Sequence, residues 1–435
     1  MNEDEKMNEK KKINSQSVEN ILKNFKKNLY GIEYYFDKFG GIAQGTDIDE
    51  VKKNEEFLDS CFMEIGIDRK DLTSKKNTEN ITADQLVEIL VKYRNKPKIS
   101  TKNFEILSRS SFLMLNNYFE YLLSDLLSYH YNKFQKSLNE KKFNLALKEI
   151  NEYETIEEVT KALITKEVES MMVEMSFDEL LEHFHSTLGI DNEKAIINWK
   201  LIGEFRERRH LIVHNSSLVN KKYIVRTGNP FNLQIGETVN IDTEYFNKAC
   251  KEFYLSGLLL SYNCWGKWDK EESNNAIFQM LTDCFDLLKL KDYELVTRFT
   301  DFTQKIEARN DNQEDYLLRT KVNRLIALKK LSNTGLLSKE LKKIKTGTLS
   351  PIFKLAFAIL SDNYKDIIDL VKQAKSLEDI DLNKYHEWPI YDFIRDNEEL
   401  NAQIENELIK TISKATRPKT VVKRVKKVPV QTTLN

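Results

Sequence analysis

Apolar residues recur along this chain at three- and four-residue intervals, the spacing of one face of an α-helix. Ile21, Leu22, Phe25, Leu29, Ile32 and Phe36 set the first run. It predicts a helix from Val18 to Phe39, capped by Ser17 and broken at Gly40-Gly41. A lysine-rich connection follows, and Thr82-Ala83-Asp84-Gln85-Leu86 predicts a second capped start. From about Thr101 the pattern is dense. Phe104, Leu107, Phe112, Leu115, Phe119, Leu122, Leu123 and Leu126 predict one long amphipathic helix. Shorter helices are predicted around 139–152, 155–172 and 176–188, and another from near Asp191 to near Asn215. Residues 216–241 change character. Tyr223-Ile224-Val225 and Leu233-Gln234-Ile235, separated by Gly228-Asn229-Pro230, predict a small hairpin or an ordered loop. Asp242 or Thr243 then caps a helix running to about Trp265.

Beyond Trp268 the pattern becomes successive helix pairs. Cys284–Phe299, Ala327–Ile344 and Ala356–Ala374 each read as helix, break, helix, with breaks at Asp292-Tyr293, Asn333-Thr334 and Asn363-Tyr364. Their mean spacing is near the roughly 34 residues of a tetratricopeptide repeat, which these segments weakly resemble. Trp388 is expected to fill the core of a closing cap formed by residues 388–400, and His386 is the only histidine of this half.

The expected fold is all-α. Thirteen glycines and six prolines in 435 residues, with heavy use of Lys, Glu, Leu and Ile, favour helix throughout. The length suits two or three domains. The expected division is a disordered N-terminus (1–17), an N-terminal helical region (18–99), a central bundle (100–267), a helical repeat-like domain (270–415) and a basic tail (416–435). Lys and Arg total 67 against 68 Asp and Glu, so bulk charge names no partner. Arg417, Lys419, Lys423, Arg424, Lys426 and Lys427 make the tail locally basic. Cys61, Cys250, Cys264 and Cys284 are far apart, which fits buried thiols in a reducing compartment rather than a disulfide framework. The charged first twelve residues do not read as a signal peptide, and no apolar run is long enough for a bilayer. A cytoplasmic protein without membrane partners is expected.

The chemistry concentrates in one segment, Glu204-Phe205-Arg206-Glu207-Arg208-Arg209-His210-Leu211-Ile212-Val213-His214-Asn215. Two of the six histidines lie here, four residues apart, so both rings can approach one ligand. On an ideal helix Leu201, Ile202, Phe205, Ile212 and Val213 share an arc expected to face the core, with Arg209 falling inside it. Arg206, Glu207, His210 and His214 fall on the neighbouring arc. An arginine on an apolar arc needs a carboxylate, a subunit interface or a phosphate. The bland alternative is a solvated face with helix-stabilising pairs such as Glu204–Arg208. The helix is expected to end at Asn215 in a left-handed cap. His183-Phe184-His185 has no further ligands at metal-site spacing, no Gly-rich phosphate loop is present, and no metal or cofactor is expected.

Arg209, His210 and His214, with the apolar spacer between them, resemble the Arg-polar-x3-His signature of the HEPN superfamily. Glu204, Asn215 and the following Ser216–Tyr223 resemble accompaniments of that signature, and the resemblance covers about residues 100–267. It implies a helical bundle that forms homodimers, with the cleft where two such helices meet, and metal-independent endoribonuclease activity. RNA is then the substrate, and a bacterial antiviral or toxin system the expected setting. It also implies catalytic roles: His214 as general acid or base, Arg209 stabilising phosphoryl charge, and His210 orienting substrate or moving the second proton. Glu204 and Asn215 support them. A non-catalytic dimerisation or nucleotide-binding module stays open, as does an interaction protein whose C-terminal helices hold a protein or ligand partner.

Overall fold

The computed structural model describes residues 17–66, 82–95, 102–138, 142–143, 146–191 and 196–410. The expected disordered segment before Ser17, the connection over 67–81 and the basic tail 416–435 lie outside them. The chain is all-α, and the one extended bridge among the described residues, Leu218 to Thr238, stands alone. It divides into two compact units, residues 1–277 and 278–435.

The first unit is built on α1 (Val18–Glu64), α2 (Ala83–Asn95), α3 (Asn103–Lys133), α4 (Ile156–Glu174), α5 (Phe177–Ser186), α6 (Trp199–His214), α7 (Lys221–Thr227) and α8 (Thr243–Trp268). Helices α1, α3 and α8 pack on one another, and α6 lies against α3 and α8. Their core is aromatic. Phe119 meets Phe25 and Phe253, Phe205 meets Phe112, Tyr245 and Phe253, and Phe36 stacks on Phe246 at 3.9 Å.

The expected break at Gly40-Gly41 does not occur: α1 continues to Glu64. Each interior glycine costs about 1 kcal/mol relative to alanine, but Gly40 is buried against the Phe104 ring, and tertiary packing outweighs that cost. Continuation also delivers Asp47, whose carboxylate accepts the Asn103 and Phe104 N–H groups at 2.8 and 2.9 Å. One helix thereby caps the start of another.

Gly257 on α8 has a different use. A Cβ there would lie 2.0 Å from the Phe25 ring, itself buried in the core. Gly257→Ala is therefore expected to destabilise the protein by about 1–3 kcal/mol through overpacking. Thermal denaturation checks this; an unchanged midpoint would mean that the ring moves aside freely.

The region expected as a hairpin or loop instead holds α7. Asn220 starts it by accepting the Tyr223 N–H at 2.9 Å, and left-handed Gly228 ends it. The Val219–Val239 stretch is tied by Val219 N–H to Glu237 O at 2.8 Å. Of the helix expected around 139–152, the described part is the single turn Leu147–Ile150.

The second unit comprises most of α9 (Ser273–Lys289), then α10 (Tyr293–Thr303), α11 (Asp311–Lys330), α12 (Thr334–Leu341), α13 (Pro351–Leu360), α14 (Ile367–Ser376), α15 (Leu382–Glu387) and α16 (Glu398–Ile409). The three expected breaks share one geometry. Lys291, Ser332 and Asp362 are left-handed, at φ 61°, 57° and 55°. The next N–H reaches back each time: Asp292 to Leu287 O, Asn333 to Leu328 O, Asn363 to Ala358 O. Asp292 and Asn333 then cap the following helices. Asp and Asn suit these positions because one residue closes one helix and opens the next. Trp388 departs from expectation. It is half-buried rather than sealed in a core, and its indole N–H donates to Asn323 Oδ1 at 3.3 Å.

Candidate functional site

Helix α6 begins at Trp199 rather than near Asp191, because Asn198 caps it by accepting the Leu201 N–H. Ile202 and Phe205 enter the core as their spacing predicts, Leu201 and Ile212 are only half-buried, and Leu211, outside the expected arc, is buried instead. Val213 stays out of the core: it is 47% exposed. The buried arc is displaced toward Glu204 and Arg208, so the solvated-face reading of that pair fails as well.

Glu204 is fully buried, and both of its oxygens are engaged. Oε1 accepts Arg208 Nε at 2.8 Å and the Tyr223 hydroxyl at 2.5 Å; Oε2 accepts the Tyr245 hydroxyl at 2.6 Å. The Arg208 guanidinium also donates to Asn240 O at 3.1 Å and lies over the Tyr245 and Phe231 rings. Burial, and then the Glu204 carboxylate, raise the Tyr223 and Tyr245 hydroxyl pKa values, so both phenols remain donors. Tyr223 belongs to α7 and Tyr245 to α8, so one carboxylate pins two neighbours to α6.

The opposite edge of α6 is open. The His210 and His214 rings lie 4.8 Å apart, centroid to centroid; His210 is half-buried and His214 exposed. Burial, then His214 and the cations Lys222 and Arg226, hold the His210 imidazole below its ordinary pKa, partly opposed by Glu207. It is therefore neutral at pH 7, with a lone pair free for a proton. Arg226 pairs with Glu207 at 2.7 Å, which fastens α7 beside this edge. Arg206 pairs with Glu120 at 2.9 Å and stacks on Phe177.

Arg209 is half-buried, and its Nε is shut off from solvent with no hydrogen-bond partner among the described residues. No carboxylate meets its guanidinium among them either. It is left unneutralised on a helix whose other arginines are paired. Asn215 ends α6 at φ −131°, not in a left-handed cap; Ser216 and Ser217 take that conformation, at φ 50° and 63°. The Asn215 side chain donates to Leu218 O at 2.5 Å and shapes the exit.

Of the residues singled out from sequence, His210 and His214 are brought together, Arg209 sits on the same helix with free donor capacity, and Glu204 is buried beneath. Sequence reasoning named Lys222 and Tyr223 only within the Ser216–Tyr223 accompaniment; it missed Arg226 beside the histidines, and Tyr223 and Tyr245 as donors to Glu204. The i,i+4 spacing of Glu204 and Arg208 was the available signal for the buried pair. His183 and His185 are occupied elsewhere, with the Tyr131 hydroxyl at 2.6 Å and Ile190 O at 3.1 Å. No family model, no curated protein and no solved structure matches this chain.

Proposed function

We propose that the chain is a metal-independent endoribonuclease of the type its Arg-polar-x3-His segment resembles. The observation that carries the reading is an unneutralised arginine on the same helix as two adjacent imidazoles, one held neutral, with two further cations beside them. A phosphodiester suits such a site, because its charge grows as the phosphorus is attacked.

In the proposed reaction the ribose 2′-oxygen attacks the adjacent phosphorus. The new bond to O2′ forms as the bond to O5′ breaks. One imidazole takes the 2′-OH proton and the other gives a proton to the leaving 5′-oxygen. Arg209 stabilises the phosphoryl oxygens. The products carry a 2′,3′-cyclic phosphate and a 5′-OH. A homodimer completes the cleft in this reading. Exposed Val213, Leu218 and Val225 beside the site are apolar surface that a second copy would cover. The second unit then restrains or targets the cleavage.

A second reading is a non-catalytic dimerisation or nucleotide-binding module. It is favoured by Glu204 and Arg208, whose engagement in the core gives half of the segment a structural reason to exist.

The test is incubation of full-length protein with mixed cellular RNA in excess EDTA, followed by end analysis. Cleavage that persists without metal and leaves 2′,3′-cyclic phosphates is the expected result. Cleavage lost on chelation and restored by Mg²⁺ overturns the mechanism, and no cleavage under any condition favours the second reading.

A further inference from the structure

The second unit contains a cavity of about 360 Å³, within the range of roughly 300–1,000 Å³ typical of small-molecule sites. Its inner part is formed by buried Ile352, Ile380, Asn323 and Tyr391, with Phe285 and Trp388 as aromatic walls. Asn323 uses its Oδ1 to accept the Trp388 indole N–H and also bonds the Cys284 thiol. Tyr391 is 1% exposed, and its hydroxyl has no hydrogen-bond partner among the described residues. That hydroxyl has no accessible surface, so Tyr391 offers the cavity its ring and not its donor.

The outer lining is charged and evenly balanced: Arg319 and Lys384 against Asp379 and Glu387. Lys384 is engaged with the carbonyls of Glu378 and Asp379. Arg319 gives Nε and one terminal nitrogen to Asp315, at 2.8 and 3.3 Å, and keeps its other terminal nitrogen. The half-buried Asp379 carboxylate accepts no hydrogen bond from the described residues, and burial raises its pKa against the opposing pull of Arg319 and Lys384. One guanidinium edge and one carboxylate are thus available at the mouth of an apolar pocket. A nucleotide polyphosphate would meet Asp379 and Glu387 with like charge.

We propose that this cavity binds a free aromatic α-amino acid: ammonium to Asp379, carboxylate to Arg319, and ring between Phe285 and Trp388. The site uses residues of the second unit alone and does not depend on the ribonuclease reading.

Isothermal titration of the full-length protein tests it with L-tryptophan, L-tyrosine, indole-3-propionate, tryptamine and AMP. L-Tryptophan or L-tyrosine binds with one site per chain. Indole-3-propionate lacks the ammonium and tryptamine the carboxylate, so each binds at least about tenfold more weakly than L-tryptophan. Asp379→Asn weakens L-tryptophan but does not weaken indole-3-propionate, whose carboxylate is relieved of a like charge. The analogue series on the native chain decides between the outcomes even where a variant misfolds, which circular dichroism would reveal. The proposal is overturned by no binding of either amino acid, by AMP binding more tightly than both, by analogues that bind as well as L-tryptophan, or by folded Asp379→Asn binding L-tryptophan like the native chain.

Discussion

Arg209→Ala and His214→Ala are each expected to lower RNA cleavage by about a hundredfold to ten-thousandfold while leaving the fold intact. The magnitude is that of removing an electrostatic stabiliser or a proton-transfer group from a phosphoryl or acyl centre. The fold is expected to survive because neither side chain holds anything. His214 is exposed, and Arg209 makes no ion pair among the described residues. Substitutions at such positions cost about 0.5 kcal/mol or less. His210→Ala is expected to be damaging with more residual activity, since orienting a substrate is partly shared by Lys222 and Arg226. The measurement is single-turnover cleavage of one short RNA, with far-ultraviolet circular dichroism on every variant. If both purified alanine variants cleave like the native protein, the site lies elsewhere.

Glu204→Ala is expected to do the reverse, damaging the fold first. It leaves Arg208, 4% exposed, buried without its carboxylate, and it strips the Tyr223 and Tyr245 hydroxyls of their acceptor. Breaking a buried pair in this way costs about 3–5 kcal/mol. For a unit of this size that lowers the melting temperature by roughly 6–20 °C, at about 2–4 °C per kcal/mol. Glu204→Gln keeps the shape and one acceptor oxygen, and should fall between. A melt of Glu204→Ala within about 2 °C of the native protein would show that the network contributes little.

The helices were legible because their apolar spacing and caps are local. Ser17, the Thr82–Gln85 capping box, Asn333 and Asp292 do in the structure what their positions suggest. What stayed hidden was non-local. Gly40-Gly41 reads as a stop until α3 is present to pack on it, and Gly257 has no visible purpose until Phe25 lies 2.0 Å from its absent Cβ. In the site, the pairing of His210 with His214 followed from their four-residue spacing. The identity of the buried arginine did not. Arg209 lies deeper in the apolar arc of an ideal wheel, yet Arg208 is the one in the core, because two tyrosines from other helices bring hydroxyls to its carboxylate partner. Periodicity counts only the residues of one helix and cannot register partners that arrive from elsewhere. The same limit applies to the second unit, where Trp388 reads as ordinary core filling and is instead one wall of a cavity.

Helix α6 carries two obligations on opposite sides, and they age differently. Glu204 and Arg208 answer to the interior and cannot drift without cost to the whole unit. Arg209, His210 and His214 answer only to whatever meets the open edge. A lineage that stopped using that edge would lose those three while keeping the buried pair and both tyrosines. In any descendants of this chain the inner half would mark shared ancestry, and the outer half whether that open edge is still in use.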